Sequence, residues 1–275
     1  MQLEALFKQP QALPAIPKIV HELIDSFNNQ DVSIDEIAKK LAADPVLSAR
    51  LLRLANSAYY HVSRSVGTVN EALSMLGFVT VRTLVISSGL TGGYKSMPGM
   101  DLTKFWRYSM HTAAAAGWLA KKAGVNGDQA FTVALMHGIG QLVMHAAMPE
   151  QMLQIDKLAS PLDCRRLDME SQSFGYNFAS VGSELARQWR FPVSFAEAIA
   201  QFPDPTAHTP FNPVAGVIHL ATWRARAEHN GLQPAELAAT LPASVAVKLG
   251  LNPQTLLDDM PPLSELSEGL EALLS

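Results

Sequence analysis

The sequence predicts an all-α protein, and three observations carry that prediction. Apolar residues recur at helical spacing along almost the whole chain. No alternating apolar–polar segment is long enough for a sheet strand. Helix-start signals recur as well. Ser33-Ile34-Asp35-Glu36 and Thr68-Val69-Asn70-Glu71 both match a capping box, in which a hydroxyl caps the first turn and a glutamate reaches back to it. Asp44-Pro45 and Asn212-Pro213 each place a capping side chain before a proline suited to the first helical position.

Taken in order, Leu13-Pro14-Ala15-Ile16-Pro17 is a rigid lead-in to a helix running to about Phe27. The helix capped by Ser33 ends near Ala43, and the next one starts at Pro45. Val46, Ala49, Leu51, Leu52 and Ala55 are expected to form its apolar face, with Arg50 and Arg53 solvated on another. Asn56-Ser57-Ala58-Tyr59-Tyr60 breaks that pattern. Gly77 is a helix stop, followed by a helix over Val79–Leu90. Residues 91–100, rich in Gly and Pro, form a connection and the boundary of an N-terminal helical subdomain over 1–95. A long helix over Leu102–Lys122 carries His111 and the alanines 113–116, which let a neighbouring helix come close. A strongly apolar helix over 130–144 carries His137 and Gln141, four apart and so expected on one face, and Pro149 stops its extension. Cys164 reads as a core filler. One helix from about Glu170 to Trp189 buries Phe178, Val181, Leu185 and Trp189, and Pro192 opens the next. Residues 201–205 turn, a helix starts at Pro213, and Gly231–Pro234 separates short C-terminal helices around Ala235–Thr240, Ala243–Leu249 and Leu263–Leu274. Residues 96–231 form the core bundle, and 232–275 an acidic segment that packs on it.

At 275 residues with 48% hydrophobic and 17% charged residues, the chain can bury a sizeable core and is not disordered. Its net charge of −4 argues against non-specific nucleic-acid binding, so no nucleic-acid partner is expected. Residues 249–275 hold five acids and no Lys or Arg, which leaves 21 bases against 20 acids in the rest. The single cysteine excludes an intrachain disulfide and fits a reducing cytoplasm. The N-terminus carries no signal-peptide core. Residues 130–148 are apolar enough to raise a membrane span, but His137, Gln141, His145 and two glycines favour a buried helix, and no membrane partner is expected.

Three stretches carry a resemblance. They are Leu13-Pro14-Ala15-Ile16-Pro17, the run from Ala42-Ala43-Asp44-Pro45 to Asn56-Ser57-Ala58, and Glu71-Ala72-Leu73-Ser74-Met75-Leu76-Gly77. In this order and spacing they resemble the HDOD family, the HD-related output domain of bacterial signalling proteins, over about residues 13–222. His137-Gly138-Ile139-Gly140-Gln141 is similar to the central His-Asp-Ile-Gly-Lys run of the HD metal-dependent phosphohydrolases. The resemblance implies an HD-like bundle whose metal site is degenerate. By it, His111 and His137 stand where two histidine ligands would be, and Gly138 replaces the adjacent aspartate. Asn177-Phe178 stands where an aspartate and histidine would be, Gln201-Phe202 where paired histidines occur, and Thr222 where the final aspartate would be. A matching glutamate recurs in the family at Glu170. Two imidazoles without a matched carboxylate supply too few donors and too little charge for a divalent cation.

The resemblance therefore implies no metal, no cofactor and no catalytic residue. It implies a remnant pocket of His111, His137, Gly138, Gln141, Glu170, Phe178, Phe202 and Thr222, with both phenylalanines filling the volume of metal and substrate. The expected function is a non-catalytic signal-transduction output module that binds a signalling protein or a small ligand. The exposed parts of 42–60 and the loop 91–100 are the expected partner surfaces, and input is expected by association. The alternative is a surviving HD-type phosphohydrolase or cyclic-nucleotide phosphodiesterase. The chain lacks the Gly-Tyr-Pro signature of cyclic-dinucleotide phosphodiesterases, since Gly175-Tyr176 is followed by Asn177. Nucleotide binding without chemistry is a third reading, and no phosphate-cradling glycine loop supports it.

Overall fold

A computed structural model describes residues 2–9, 20–22, 24, 33–57, 65–94 and 96–270. The described residues are helices and connections, with no strand among them. They fall into two compact units. One comprises the described residues of 14–95 with 189–192 and 267–270. The other comprises those of 1–13 with 96–188 and 193–266.

In the first unit, α2 (Ile34–Ala42), α3 (Pro45–Ala55) and α4 (Val69–Gly93) pack on one another. The short α1 (Leu3–Leu6) belongs to the second unit. The predicted side-chain caps form, but at Ser33 the Glu36 carboxylate faces Lys40 Nζ at 3.5 Å, and its return bond to the cap is not seen among the described residues. Ser33 Oγ accepts from Glu36 N at 3.2 Å, and Asp44 Oδ1 accepts from Val46 N and Leu47 N at 2.9 and 3.0 Å. Thr68 Oγ1 accepts from Glu71 N, while the Glu71 carboxylate reaches one residue further back than a capping box requires, to Gly67 N. The buried face of α3 is Leu47, Leu51, Leu54 and Ala55, not the predicted set. Val46 is 61% exposed and Ala49 is exposed too, because the face facing α4 follows the i, i+4, i+7 row that starts at Leu47. Asn56 ends α3. Its side chain donates to Leu52 O and Val66 O and accepts from Val66 N, clamping the chain on both sides of 58–64. Gly77 breaks α4 with φ 76°, as expected, but the helix then runs on to Gly93. The connection therefore begins later than predicted, and Tyr94, Met97 and Met100 are buried rather than displayed. The predicted helix from Pro17 to Phe27 and residues 58–60 lie outside, or mostly outside, the described residues.

The second unit is built on α5 (Leu102–Ala123), which packs against α6 (Gly127–Met136) and α12 (Pro213–His229). Asp101 and Gly124 cap α5, and Ala113–Ala116 are buried along it. The apolar stretch predicted as one helix is two: α6 ends at His137, and α7 (Ile139–Ala147) begins after Gly138. Two poor helix formers, Gly138 and Gly140, lie at the break. Gly140 meets α10 (Phe178–Gln188) so closely that an added Cβ would stand 2.0 Å from Phe178 O and 2.7 Å from Gly182 N. Most of this stretch is buried: in Gly127–Ala147, long and apolar enough for a membrane span, 89% of the most apolar window is inside the fold.

Pro149 does not merely stop α7 but opens α8 (Pro149–Asp156), a helix the periodicity did not show. The predicted helix from Glu170 to Trp189 is likewise two. In α9 (Arg166–Phe174), Gly175 takes the left-handed conformation with φ 80° and ends the helix, and α10 follows. Cys164 is exposed, which corrects its reading as core, since it sits in the polar turn before α9. α11 (Val193–Gln201) packs on α10, and Asn212 caps α12 through Val214 N and Ala215 N. The C-terminal α13 (Pro234–Thr240), α14 (Ala243–Lys248), α15 (Pro253–Asp259) and α16 (Leu263–Leu266) complete the unit, with α16 against α5 and α14 against α12. α15 is a further helix the sequence reading missed.

The Gly140 crossing gives a signed prediction. Gly140→Ala should cost about 3 kcal/mol, because backbone on both helices must move. Gly117→Ala, where the new Cβ meets only Phe131 at 3.6 Å, should stabilise by about 0.5 kcal/mol. Denaturant unfolding of both variants checks the contrast.

Candidate functional site

The site lies within the second unit, where α5, the α6–α7 break, the start of α10, the end of α11 and α12 converge. His137 is 2% exposed. Its Nδ1 is 2.5 Å from Ala134 O, so Nδ1–H donates to that carbonyl. Tyr108 and Phe202 stand edge-on to its ring, with centroids 5.4 and 5.5 Å away, and Phe178 lies 6.2 Å from Phe202. Burial lowers the His137 pKa to about 4, against the pull of the Ala134 carbonyl and with a further push from the Arg226 charge. The ring is therefore neutral near pH 7.

Six of the eight predicted site residues line one small cavity: His137, Gly138, Gln141, Phe178, Phe202 and Thr222. It leaves about 20 Å³, room for about one water molecule. A Cβ at Gly138 would meet the Phe105 ring at 3.3 Å, so the position that carries an aspartate in HD enzymes is pressed by an aromatic here. Gln141 Nε2 donates to Pro161 O at 2.7 Å, while its Oε1 is buried without a partner among the described residues. The Thr222 hydroxyl donates to His219 O at 2.8 Å and accepts from Arg226 Nη2 at 3.3 Å.

The other two residues stand elsewhere. His111 is half-buried on α5 and does not line the cavity. Glu170 is fully buried and committed to structure: Oε1 accepts from Arg166 Nε and Oε2 from Phe178 N, each at 2.7 Å. Burial raises its pKa even against Arg166 and the Phe178 N–H. Arg166 in turn donates to Asp156 and to Ala159 O. Asp156 Oδ2 lies 3.0 Å from His145 Nε2, and His145 Nδ1 lies 2.7 Å from Gln141 O. Burial alone would raise the Asp156 carboxyl, but the His145 and Arg166 hydrogen bonds outweigh it and hold the pKa below the ordinary range. This chain of polar contacts ties α7, α8, α9 and α10 together. It was not foreseen. The i, i+4 spacing of Arg166 and Glu170 was the available signal, but arginine is seldom fully buried.

This donor set does not fit a divalent cation. His137 contributes one ring nitrogen, Thr222 is already engaged, the one carboxylate lining the cavity, Asp163, is paired with Arg165, and no group of three His, Cys, Asp or Glu that could hold a metal ion exists among the described residues. Arg226 lines the same cavity and would share it with the cation. Charge and ligand count both oppose binding.

A model of the HDOD domain matches residues 13–205, and the chain belongs to the HDOD family. A protein from Shewanella amazonensis SB2B, provisionally named a phosphohydrolase, is 31% identical and superposes with a TM-score of 0.79 over 98% of both chains. An HDOD domain protein from Geobacter sulfurreducens shares the fold at 22% identity, with a TM-score of 0.74 over 95% of this chain and 93% of that one. An uncharacterised protein of Treponema pallidum (strain Nichols) is 24% identical over 221 residues, which is 78% of this chain; the chain spans only 42% of that relative's length.

The depressed His137 pKa gives a pH dependence with a definite sign. The folded state holds the imidazole neutral, so its contribution is complete above pH 6.5 and is lost as pH falls through 6.5 towards about 4. Between pH 7.5 and 4, wild type should lose about 3 kcal/mol more stability than His137→Asn. Urea titrations of both proteins at the two pH values measure that difference.

Proposed function

We propose that this chain is a non-catalytic signal-transduction output module of HDOD type. The observation that carries the reading is the filled remnant site. Where the resemblance to HD enzymes implies metal and water, this chain places Phe178, Phe202, a neutral His137 and about 20 Å³ of space beside a guanidinium. Its one carboxylate, Asp163, is paired with Arg165, so the site has neither the free charge to hold a cation nor the volume for a phosphate ester. The module acts by binding. A surface for a protein partner is the outer face of α3, where Pro45, Val46, Ala49 and Arg53 are exposed. The loop 91–100 is a poorer candidate, because its aromatic and methionine side chains are buried. The single, exposed cysteine fits action in a reducing bacterial cytoplasm.

A second reading, hydrolysis of a phosphate ester, is favoured by one observation: the Shewanella amazonensis relative provisionally named a phosphohydrolase is 31% identical. Assays of bis(p-nitrophenyl) phosphate and 3′,5′-cyclic AMP with Mn²⁺, Fe²⁺, Ni²⁺ or Zn²⁺ separate the two. Wild type and His137→Ala should show the same background rate. Metal-dependent turnover that His137→Ala abolishes would overturn the non-catalytic reading.

A further inference from the structure

Beside the filled remnant lies a second cavity, open to solvent and about 510 Å³ in volume. That is within the range of small-molecule sites, about 300–1,000 Å³. It belongs to the second unit throughout, and its walls include Asp163, Leu167, Pro203, His219, Trp223 and Arg226. Leu162, Asp163, Leu167, Phe202 and Arg226 line both it and the small cavity.

Three of these side chains are held in place by hydrogen bonds. Trp223 Nε1 donates to Thr240 Oγ1 at 3.2 Å, so the indole is a fixed wall. His219 Nδ1 lies 2.8 Å from Phe202 O and donates to it. Its ring is neutral because burial lowers the pKa, so Nε2 is left as an acceptor. Arg226 is anchored from one side: Nε donates to Thr222 O at 3.2 Å and Nη2 to Thr222 Oγ1 at 3.3 Å. Its remaining N–H groups have no acceptor among the described residues, and no carboxylate there stands within ion-pair distance of it. The threonine at the final-aspartate position thus orients a guanidinium without neutralising it.

The charge inventory restricts what the pocket can take. Asp163 is bound to Arg165 through Nε and Nη2, and that hydrogen bonding holds its carboxyl below the ordinary range. The Arg226 charge also acts on it. One fork-shaped cation beside an already paired carboxylate suits one negative charge with two parallel oxygens, and would compensate a phosphate dianion poorly. The fixed indole and the Leu167 and Pro203 walls suit a flat apolar body.

We propose that this pocket binds a small monoanionic aromatic carboxylate, its carboxylate on Arg226 and its ring along Trp223. This extends the reading of a binding module, and its test measures affinity rather than turnover, so the two can fail separately. Calorimetric titration of the full chain with indole-3-acetate and 4-hydroxybenzoate, each beside its neutral amide and with AMP as the dianion, decides it. The acids should bind about ten- to a hundred-fold more tightly than their amides, as a charge-assisted fork predicts. In Arg226→Gln that ratio should collapse towards one while amide affinity is kept. If Arg226→Gln does not fold, the acid-to-amide ratio in wild type still decides. Equal affinities, no binding of either acid, or tighter binding of AMP would overturn the proposal.

Discussion

Arg166 is the constraint on which the second unit depends. Its guanidinium is fully buried and must be neutralised where it lies, because an unpaired buried charge costs several kcal/mol. Glu170 and Asp156 do this from α9 and α8, and the second oxygen of Asp156 lies 3.0 Å from His145 Nε2 in α7. The other oxygen of Glu170 takes the Phe178 N–H, which fixes the start of α10. Replacing such a network by apolar side chains can leave stability unchanged, so its value here is positional. It sets where Phe178 enters the cavity and how closely α10 lies on Gly140.

The cavity follows from that placement. Phe178 and Phe202 meet across the space beside His137, Phe105 stands against Gly138, and the imidazole is left buried and neutral. The electrostatic sign of the site has changed with it. A site that binds divalent cations is lined with several free carboxylates; this one has a guanidinium held by Thr222 and a single carboxylate, Asp163, that is paired with Arg165. Its chemistry suits anions, and the open pocket next door is where that charge meets solvent.

What was legible in the sequence was local. Caps at Ser33, Asp44, Thr68 and Asn212 need only a few neighbouring residues, and each formed. The breaks at Gly77 and Asn56 are local too. The HDOD framework was legible because its motifs lie in fixed order. The features that escaped depend on contacts distant in sequence. The break after His137 coincides with Gly140 meeting the α10 backbone, which no window around residue 137 contains. The buried face of α3 is chosen by α4, so Val46 turned outward. Glu170 was matched by position to a metal site, yet its oxygens belong to Arg166 and Phe178 N. Arg226 went unnoticed because an arginine near a helix end reads as solvated until the pocket around it is seen.

The central claim, that the HD centre has become packed core, is tested most directly by metal retention. Purified protein would be incubated with Mn²⁺, Fe²⁺, Ni²⁺ and Zn²⁺ in turn, desalted, and its metal content measured by inductively coupled plasma mass spectrometry. The account predicts far less than stoichiometric metal in every case. Stoichiometric retention of any of these ions, lost in His137→Ala, would contradict it.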